Sequence, residues 1–267
     1  MGIIKILQST GLRLLPFINS ALIYLVHWLP QRNAPSPWGI LLKCLPIIFL
    51  CIFVGSYLYR SGFSRKQRYS VCILTGLIFS GLGDACLVYN KDFFVQGLLF
   101  FAITHFLYSV AFHGKPYRWG FLAGILPVFA CVYKVLYPGL KGPLIYLCVL
   151  YGLLIIIMLW RAVARINLSS LCWTKTFACV GALLFVISDT ILAINKFTVP
   201  IPYGHHIIMT TYYTAQLGIA LSVVPELEKL SDQKSLQPAC IQPQVSRNTR
   251  SVKSSSSSPS APVRKDF

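Results

Sequence analysis

Two aspartates are the residues of this sequence best suited to chemistry, because both lie inside long apolar runs. The chain has seven acidic residues, and only Asp84 and Asp189 fall within such runs. Burying a carboxylate in a bilayer is costly, so acids inside membrane spans usually face a functional site or a water-filled cavity. We therefore take Asp84 and Asp189 as candidate catalytic residues.

The sequence around each aspartate follows the same pattern. Both stretches read D-x-x-L-x-x-N-K, which places Asn90 after Asp84 and Asn195 after Asp189. An aromatic residue follows each motif, and the next apolar run carries polar residues that share one helix face at spacings of three or four. These residues are His105, Tyr108 and Ser109 in the first half and Tyr212 and Gln216 in the second. The pattern predicts a four-helix unit used twice, with its two copies parallel in the membrane.

The repeat predicts one cavity that both acids share. Each aspartate lies five to seven residues before the end of its apolar run, which is about 8–10 Å below the same membrane interface. When two carboxylates share a site, one keeps a proton while the other is ionised. The pair could therefore supply a general acid and a carboxylate that orients water. Which aspartate is the acid stays open.

Seven further polar residues are candidates for positioning water or substrate in this cavity: Ser80, Asn90, His105, Tyr108, Asn195, Tyr212 and Gln216. Hydrogen bonding between helices is the alternative role for such residues. No HExxH motif or other metal-ligand spacing accompanies them, and the nine cysteines include no CxxC pair. We therefore expect neither a metal nor a cofactor.

The elements that must position these residues are transmembrane helices. The chain has 267 residues, of which 55% are hydrophobic and only 12% charged, and this excludes an ordinary soluble domain. A span needs about 20 mostly apolar residues. We predict an all-α integral membrane protein of about eight transmembrane helices, built as two parallel four-helix repeats. The eight runs are Leu14–Leu29, Ile40–Tyr59, Val71–Tyr89, Phe94–His113, Gly120–Tyr137, Leu144–Trp160, Trp173–Ile194 and Ile207–Val224. An interfacial helix is the alternative for the first run, which is the shortest.

Composition divides the chain into a membrane domain and a tail. The transmembrane domain covers residues 1–229, with repeats at approximately 14–113 and 120–224. Residues 230–267 are rich in Ser, Pro and basic residues, which predicts a disordered cytosolic tail. Eleven Lys and Arg residues flank one side of the spans, in addition to seven in the tail, whereas six flank the other side. The positive-inside rule therefore places both termini in the cytosol. No basic face accompanies the formal net charge of +17, so we expect no nucleic-acid partner.

Four stretches of the sequence are specific enough in combination to indicate a protein family. They are Ser80-Gly-Leu-Gly-Asp84, the spaced set Phe93, Gly97, His105 and Tyr108, the stretch Ser188-Asp189 with Asn195-Lys196-Phe197, and Thr211-Tyr-Tyr-x-Ala-Gln216. In combination they resemble the lysoplasmalogenase family, also called the YhhN-like family, and most closely its vertebrate branch. The resemblance covers roughly residues 38–224.

This resemblance implies a membrane hydrolase that cleaves the sn-1 vinyl ether bond of lysoplasmalogens. The products would be a fatty aldehyde and glycerophosphoethanolamine or glycerophosphocholine, and the family is placed in the endoplasmic reticulum membrane. The substrate partner would be a lysophospholipid in the bilayer. A vinyl ether is hydrolysed by protonation at carbon and capture of the cation by water, which suits an acid and a carboxylate. Head-group preference, chain length and the presence of a homo-oligomer stay open.

A proton-coupled carrier or lipid translocator is the alternative function, because parallel repeats with acids at mid-depth also describe transporters. A carrier favours helix-breaking glycines at matching points in both halves. Gly81 and Gly83 precede Asp84, whereas no glycine stands at the corresponding positions before Asp189. This difference favours the enzyme.

Overall fold

The computed structural model of the chain is entirely helical where it is described. It describes residues 3–29, 35–60, 67–167 and 172–224, with residues 3–9, 90 and 91 described by backbone alone. Over these residues the chain forms eight α-helices and no strand, which confirms the all-α prediction. The helices are α1 Ile3–Ile23, α2 Pro37–Arg60, α3 Arg68–Val88, α4 Asn90–Ala111, α5 Trp119–Leu136, α6 Leu144–Ala164, α7 Trp173–Phe197 and α8 Gly204–Leu221. The predicted tail, 230–267, lies outside the described residues.

Six of the helices are long and apolar enough to cross a membrane. These are α2 to α7, whose candidate spans have 20 to 25 residues and mean hydropathies of 1.7 to 2.3. Large apolar side chains such as Val128, Leu150 and Val180 are exposed on their outer faces, as expected for surfaces that contact lipid. The chain is therefore a multi-pass membrane protein. Within the described residues α1 and α8 do not meet the same criterion, so six of the eight predicted spans have this support.

The N-terminal helix differs from its predicted bounds. The apolar run suggested a span at Leu14–Leu29, whereas α1 covers Ile3–Ile23 and a single π-helical turn, Tyr24–Trp28, follows it. The other helices lie within a few residues of their predicted runs, because helix ends in this chain coincide with a change from apolar to polar composition. Pro16, Pro46 and Pro127 all lie inside helices, which neighbouring membrane helices tolerate.

Two close helix pairs, α3 with α4 and α7 with α8, form the framework of the bundle. Glycine allows each approach, since a Cβ atom on Gly76 would lie 2.3 Å from the Tyr108 ring and one on Gly181 would lie 2.7 Å from the Ala215 carbonyl oxygen. One hydroxyl also ties each pair together: Thr104 donates to the Gly76 carbonyl at 3.1 Å, and Ser188 donates to the Ile208 carbonyl at 3.0 Å. Small residues and hydrogen bonds of this kind drive helix association in membranes.

Arg161 links the end of α6 to the connection between α4 and α5, at the end of the bundle remote from Asp84. It lies in the last turn of α6 and is only 4% exposed. Its guanidinium packs against the rings of Trp160 and Tyr117, 5.1 and 4.9 Å from their centroids, and donates to the carbonyl oxygens of Phe112 and Gly114. The connection between α4 and α5 is therefore fixed onto the end of α6.

We expect Gly181→Ala to lower the melting temperature in detergent by about 5 °C, because the added methyl group forces α7 and α8 apart. Differential scanning fluorimetry of the purified protein measures this. Gly55→Ala is the matched control, since a Cβ atom at Gly55 meets nothing within 4 Å. Equal melting temperatures for the two variants would contradict the close packing of α7 and α8.

Candidate active site

Asp84 lies in α3 and is bound by residues from two other helices. The Lys43 ammonium of α2 lies 3.3 Å from Asp84 Oδ1 and 3.4 Å from the Asp84 backbone oxygen. The Tyr212 hydroxyl of α8 donates to Asp84 Oδ2 at 2.6 Å. Asp84 and Lys43 are 2% and 8% exposed, so this is a buried ion pair with an additional hydrogen bond. Such a pair holds its geometry because either charge left alone would be costly.

Asp189 lies in α7 and has a different set of partners. His105 Nε2, from α4, lies 3.2 Å from Asp189 Oδ2, and the Tyr151 hydroxyl of α6 donates to the same oxygen. Tyr151 and His105 also contact each other at 2.9 Å. Among the described residues nothing hydrogen-bonds Asp189 Oδ1, and the side chain is 13% exposed. One oxygen of Asp189 is therefore anchored and the other is available to a ligand.

The two aspartates exchange partners between the halves of the chain. Tyr212, from the second half, donates to Asp84 of the first half, and His105, from the first half, pairs with Asp189 of the second. His105 and Tyr212 occupy equivalent positions, since each follows the threonine that opens its polar stripe. The first half therefore completes the environment of the second acid, and the second half completes that of the first.

A chain of buried hydrogen bonds fixes Tyr212 beside Asp84. Ser80 Oγ lies 3.1 Å from the Tyr212 hydroxyl, and Gln216 Nε2 donates to Ser80 Oγ at 2.9 Å. Tyr108 then donates to Gln216 Oε1 at 2.8 Å. The ring of Phe185 lies between the two acid environments, 4.8 Å from the His105 ring and 5.5 Å from the Tyr212 ring, measured between centroids. Each donor is therefore held by packing as well as by hydrogen bonds.

Both aspartates line one cavity of about 590 Å³. Its polar wall carries Lys43, Ser188 and Tyr212 in addition to the two acids, and Tyr24, Trp28 and Phe101 supply aromatic surface. Asp189 also borders a second, apolar cavity of about 310 Å³ between α4, α5, α6 and α7. The side chain of Asp189 therefore stands between a polar and an apolar space.

The predicted site residues divide into three groups. The structure brings Asp84, Asp189, Ser80, His105, Tyr108, Tyr212 and Gln216 into the contacts described above. Asn195 lines the polar cavity, but its Oδ1 accepts a hydrogen bond from the Ile201 backbone N–H at 2.8 Å, so it holds the turn after α7. The Asn90 side chain lies outside the described residues. A catalytic role for any of them stays a prediction.

Sequence reasoning missed two contact residues, Lys43 and Tyr151. The charge count took Lys43 as one of the six basic residues that flank the second side of the spans, whereas it lies buried inside α2 and pairs with Asp84. The available signal was a lysine within the apolar run Ile40–Tyr59. Tyr151 gave no comparable signal, since tyrosines in an apolar run are commonly packing residues.

The depths of the two acids also differ from the prediction. The sequence suggested five to seven residues between each aspartate and the end of its span, whereas α3 ends four residues after Asp84 and α7 ends eight residues after Asp189. The difference arises at the turns. The chain reverses directly at Tyr89 after α3, while α7 continues to Phe197 before a longer connection leads to α8.

Comparisons with known proteins give a consistent result. The model of the YhhN family matches residues 38–223. A cattle (Bos taurus) protein named lysoplasmalogenase TMEM86A is 40% identical over 234 residues, covering 86% of this chain and 95% of its own. Human lysoplasmalogenase TMEM86B is 37% identical, covering 78% and 85%. A lysoplasmalogenase homolog of Dictyostelium discoideum is 26% identical, covering 78% and 83%. No solved structure matches the chain.

We expect Lys43→Met to destabilise the protein by about 3 kcal/mol, because it leaves the Asp84 carboxylate buried without its cation. The double variant Lys43→Met with Asp84→Asn should recover most of this loss, since neither charge remains. Thermal unfolding of the four proteins in one detergent gives the coupling free energy. Additive losses in the double variant would mean that the two residues do not stabilise each other.

Proposed function

This chain belongs to the YhhN family, and we propose that it is a lysoplasmalogenase, a membrane hydrolase of the sn-1 vinyl ether bond in lysoplasmalogens. The observation that carries the proposal is the pair of aspartates, Asp84 buried and Asp189 partly buried, that line one cavity, each with hydrogen-bond partners that hold it in place. The names of the relatives support it, since those at 33–40% identity are called lysoplasmalogenases. These names give no support to the alternative of a carrier or lipid translocator.

The reaction adds one water molecule across the vinyl ether in three steps. An acid first transfers a proton to carbon 2 of the alkenyl chain, which leaves an oxocarbenium ion at carbon 1. Water then attacks carbon 1 and loses a proton, which forms a hemiacetal. The hemiacetal collapses to a fatty aldehyde, and its proton goes to the departing glycerol oxygen of glycerophosphoethanolamine or glycerophosphocholine. The protein must therefore supply an acid, a negative charge near carbon 1 and a base for the water.

We assign the acid role to Asp189. Its Oδ2 is anchored by Tyr151 and His105, while Oδ1 has no partner among the described residues. A proton on Oδ1 would therefore face the cavity. Asp189 also borders the apolar cavity, so its carboxyl group can meet an apolar chain that lies there. After the transfer, the hydrogen bonds of Tyr151 and His105 stabilise the carboxylate that forms.

We assign the carboxylate role to Asp84. The Lys43 ammonium compensates its charge and Tyr212 donates to its second oxygen, so both contacts suit an ionised group. A fixed carboxylate on the wall of the same cavity stabilises the oxocarbenium ion and accepts the proton of the attacking water. Ser80, Tyr108 and Gln216 act as positioning residues, because their hydrogen bonds hold Tyr212 against Asp84.

We further propose that all eight helices cross the membrane, as two parallel four-helix repeats, with both termini in the cytosol and the endoplasmic reticulum as the location. The polar content of α8 has a specific reason, because Tyr212 and Gln216 point at the site and are at most 3% exposed. Such residues lower the hydropathy of a helix without placing polar groups in lipid. The basic residues at the remote end, including Arg118, Arg161 and Arg165, support the orientation.

The purified protein should release fatty aldehyde from a lysoplasmalogen but not from its saturated ether analogue, which has no double bond to protonate. In deuterium oxide the aldehyde should carry one deuterium at carbon 2, since that carbon receives the solvent-derived proton. An intact plasmalogen with an sn-2 acyl chain should react at least about tenfold more slowly, because the cavity must then accommodate a second chain. Mass spectrometry of the products measures all three. A lysophospholipid whose sn-1 chain is joined by an ester should release no fatty acid. Fatty-acid release from that ester at a rate similar to aldehyde release would overturn the assigned reaction.

We expect Asp84→Asn and Asp189→Asn each to lower aldehyde release at least about 100-fold, because each removes acid–base chemistry while keeping the side-chain shape. Asp92→Asn is the matched control, since Asp92 is an exposed acid in the first turn of α4. It should keep nearly full activity. The melting temperature of each variant separates lost chemistry from lost folding. Retention of most activity by either site variant would exclude the two-aspartate mechanism.

A further inference from the structure

The apolar cavity beside Asp189 is a second ligand-binding space that the reaction mechanism does not use. We propose that it binds the hydrocarbon chain of the lysophospholipid, with the vinyl ether at Asp189 and the head group in the polar cavity. This inference rests on the proposed function and deepens it, because it assigns each part of the substrate to one space. Asp189 and Leu192 line both cavities, so one molecule can occupy the two at once.

The lining of this cavity suits a hydrocarbon chain. Its walls are formed by aliphatic and aromatic side chains of four helices, and Asp189, Tyr151, Tyr133 and Thr190 are the residues on it that carry oxygen in their side chains. A chain placed in the other cavity would lie against Lys43 and Asp84 and would force water away from charged groups. The phosphate and base of a lysophospholipid are the better occupant of that polar space.

The dimensions also fit a chain that extends from the reacting bond. Along α7 the apolar wall reaches Leu183, six residues before Asp189, which is a distance of about 9 Å. Tyr151 of α6 contacts Asp189, and a Cβ atom on Gly152 would meet the Phe129 ring of α5, so these residues mark one level. Gly124 precedes Phe129 by five residues and Ile156 follows Tyr151 by five. Both lining residues therefore lie about 8 Å from that level, at a depth similar to that of Leu183. A fully extended chain with its double bond at Asp189 would therefore reach Gly124 after roughly eight carbons.

The cavity is open to the surrounding bilayer. Val128 and Leu183, two of its lining residues, are 63% and 48% exposed on the apolar outer surface. A chain longer than the cavity could continue into lipid, and a chain in the bilayer could enter sideways without crossing water. Transfer between lipid and an apolar groove costs little, so binding would depend mainly on how well the groove wall fits the chain.

Gly124→Leu tests this assignment. A Cβ atom at Gly124 meets nothing within 4 Å, so the larger side chain can occupy the groove without disturbing α5. We expect kcat/KM for an alkenyl chain of about eighteen carbons to fall about tenfold, chiefly through KM, because two or three methylene groups lose their van der Waals contacts with the groove wall. A chain of about six carbons ends before Gly124 and should be unaffected. Gly120→Leu is the matched control, since Gly120 is equally open, lies one turn earlier and does not line the cavity.

Equal losses for long and short chains, or the same loss in Gly120→Leu, would overturn the assignment. A second measurement does not depend on turnover. A saturated ether lysophospholipid with a photoreactive diazirine about eight carbons from the glycerol should label peptides of α5 and α6. Labelling of α1 and α2 instead would overturn the proposal that the apolar cavity binds the hydrocarbon chain. If the wild-type protein is labelled on α5 and α6 but releases no aldehyde, the apolar cavity binds the hydrocarbon chain and the proposed reaction is rejected.

Discussion

Reciprocal pairing between the two halves of the chain is the constraint on which the candidate site depends. Tyr212 can reach Asp84 only if α8 packs against α3, and His105 can reach Asp189 only if α4 packs against α7. The Tyr212 and His105 side chains bridge these helix pairs. Gly76 allows α4 to pack closely on α3 and Gly181 allows α8 to pack closely on α7, and Phe185 packs against both the His105 and the Tyr212 rings. The site is thus a product of tertiary packing and belongs to neither half alone.

The sequence predicted the acids and the helices because both leave strong local signals. An acid in an apolar run is rare enough to single out Asp84 and Asp189, and long runs bounded by polar residues locate most helices to within a few residues. The repeated motif further indicated that the polar residues on the helix after each acid contribute to the site. Both features depend on the free energy of transferring residues into lipid. That free energy follows from residue type and run length, which the sequence states directly.

The partners of the acids could not be predicted in the same way. Lys43 lies near the start of an apolar run, where a lysine is commonly an interfacial anchor, and only the packing of α2 on α3 turns it towards Asp84. Tyr151 contacts Asp189 from α6, which contains none of the repeated motif. The exchange of His105 and Tyr212 between halves also depends on which helices become neighbours. Sequence spacing within one helix carries no information on that choice.

The position of Asp189 between two cavities determines where each product would go. On the proposed function, hydrolysis yields one product that dissolves in lipid and one that dissolves in water. The aldehyde would form with its chain already in the groove that opens past Val128 to the bilayer. The glycerophospho-base would form in the polar cavity beside Lys43. Each product would then leave towards its own solvent, so neither blocks the exit of the other and their recombination at the site is disfavoured.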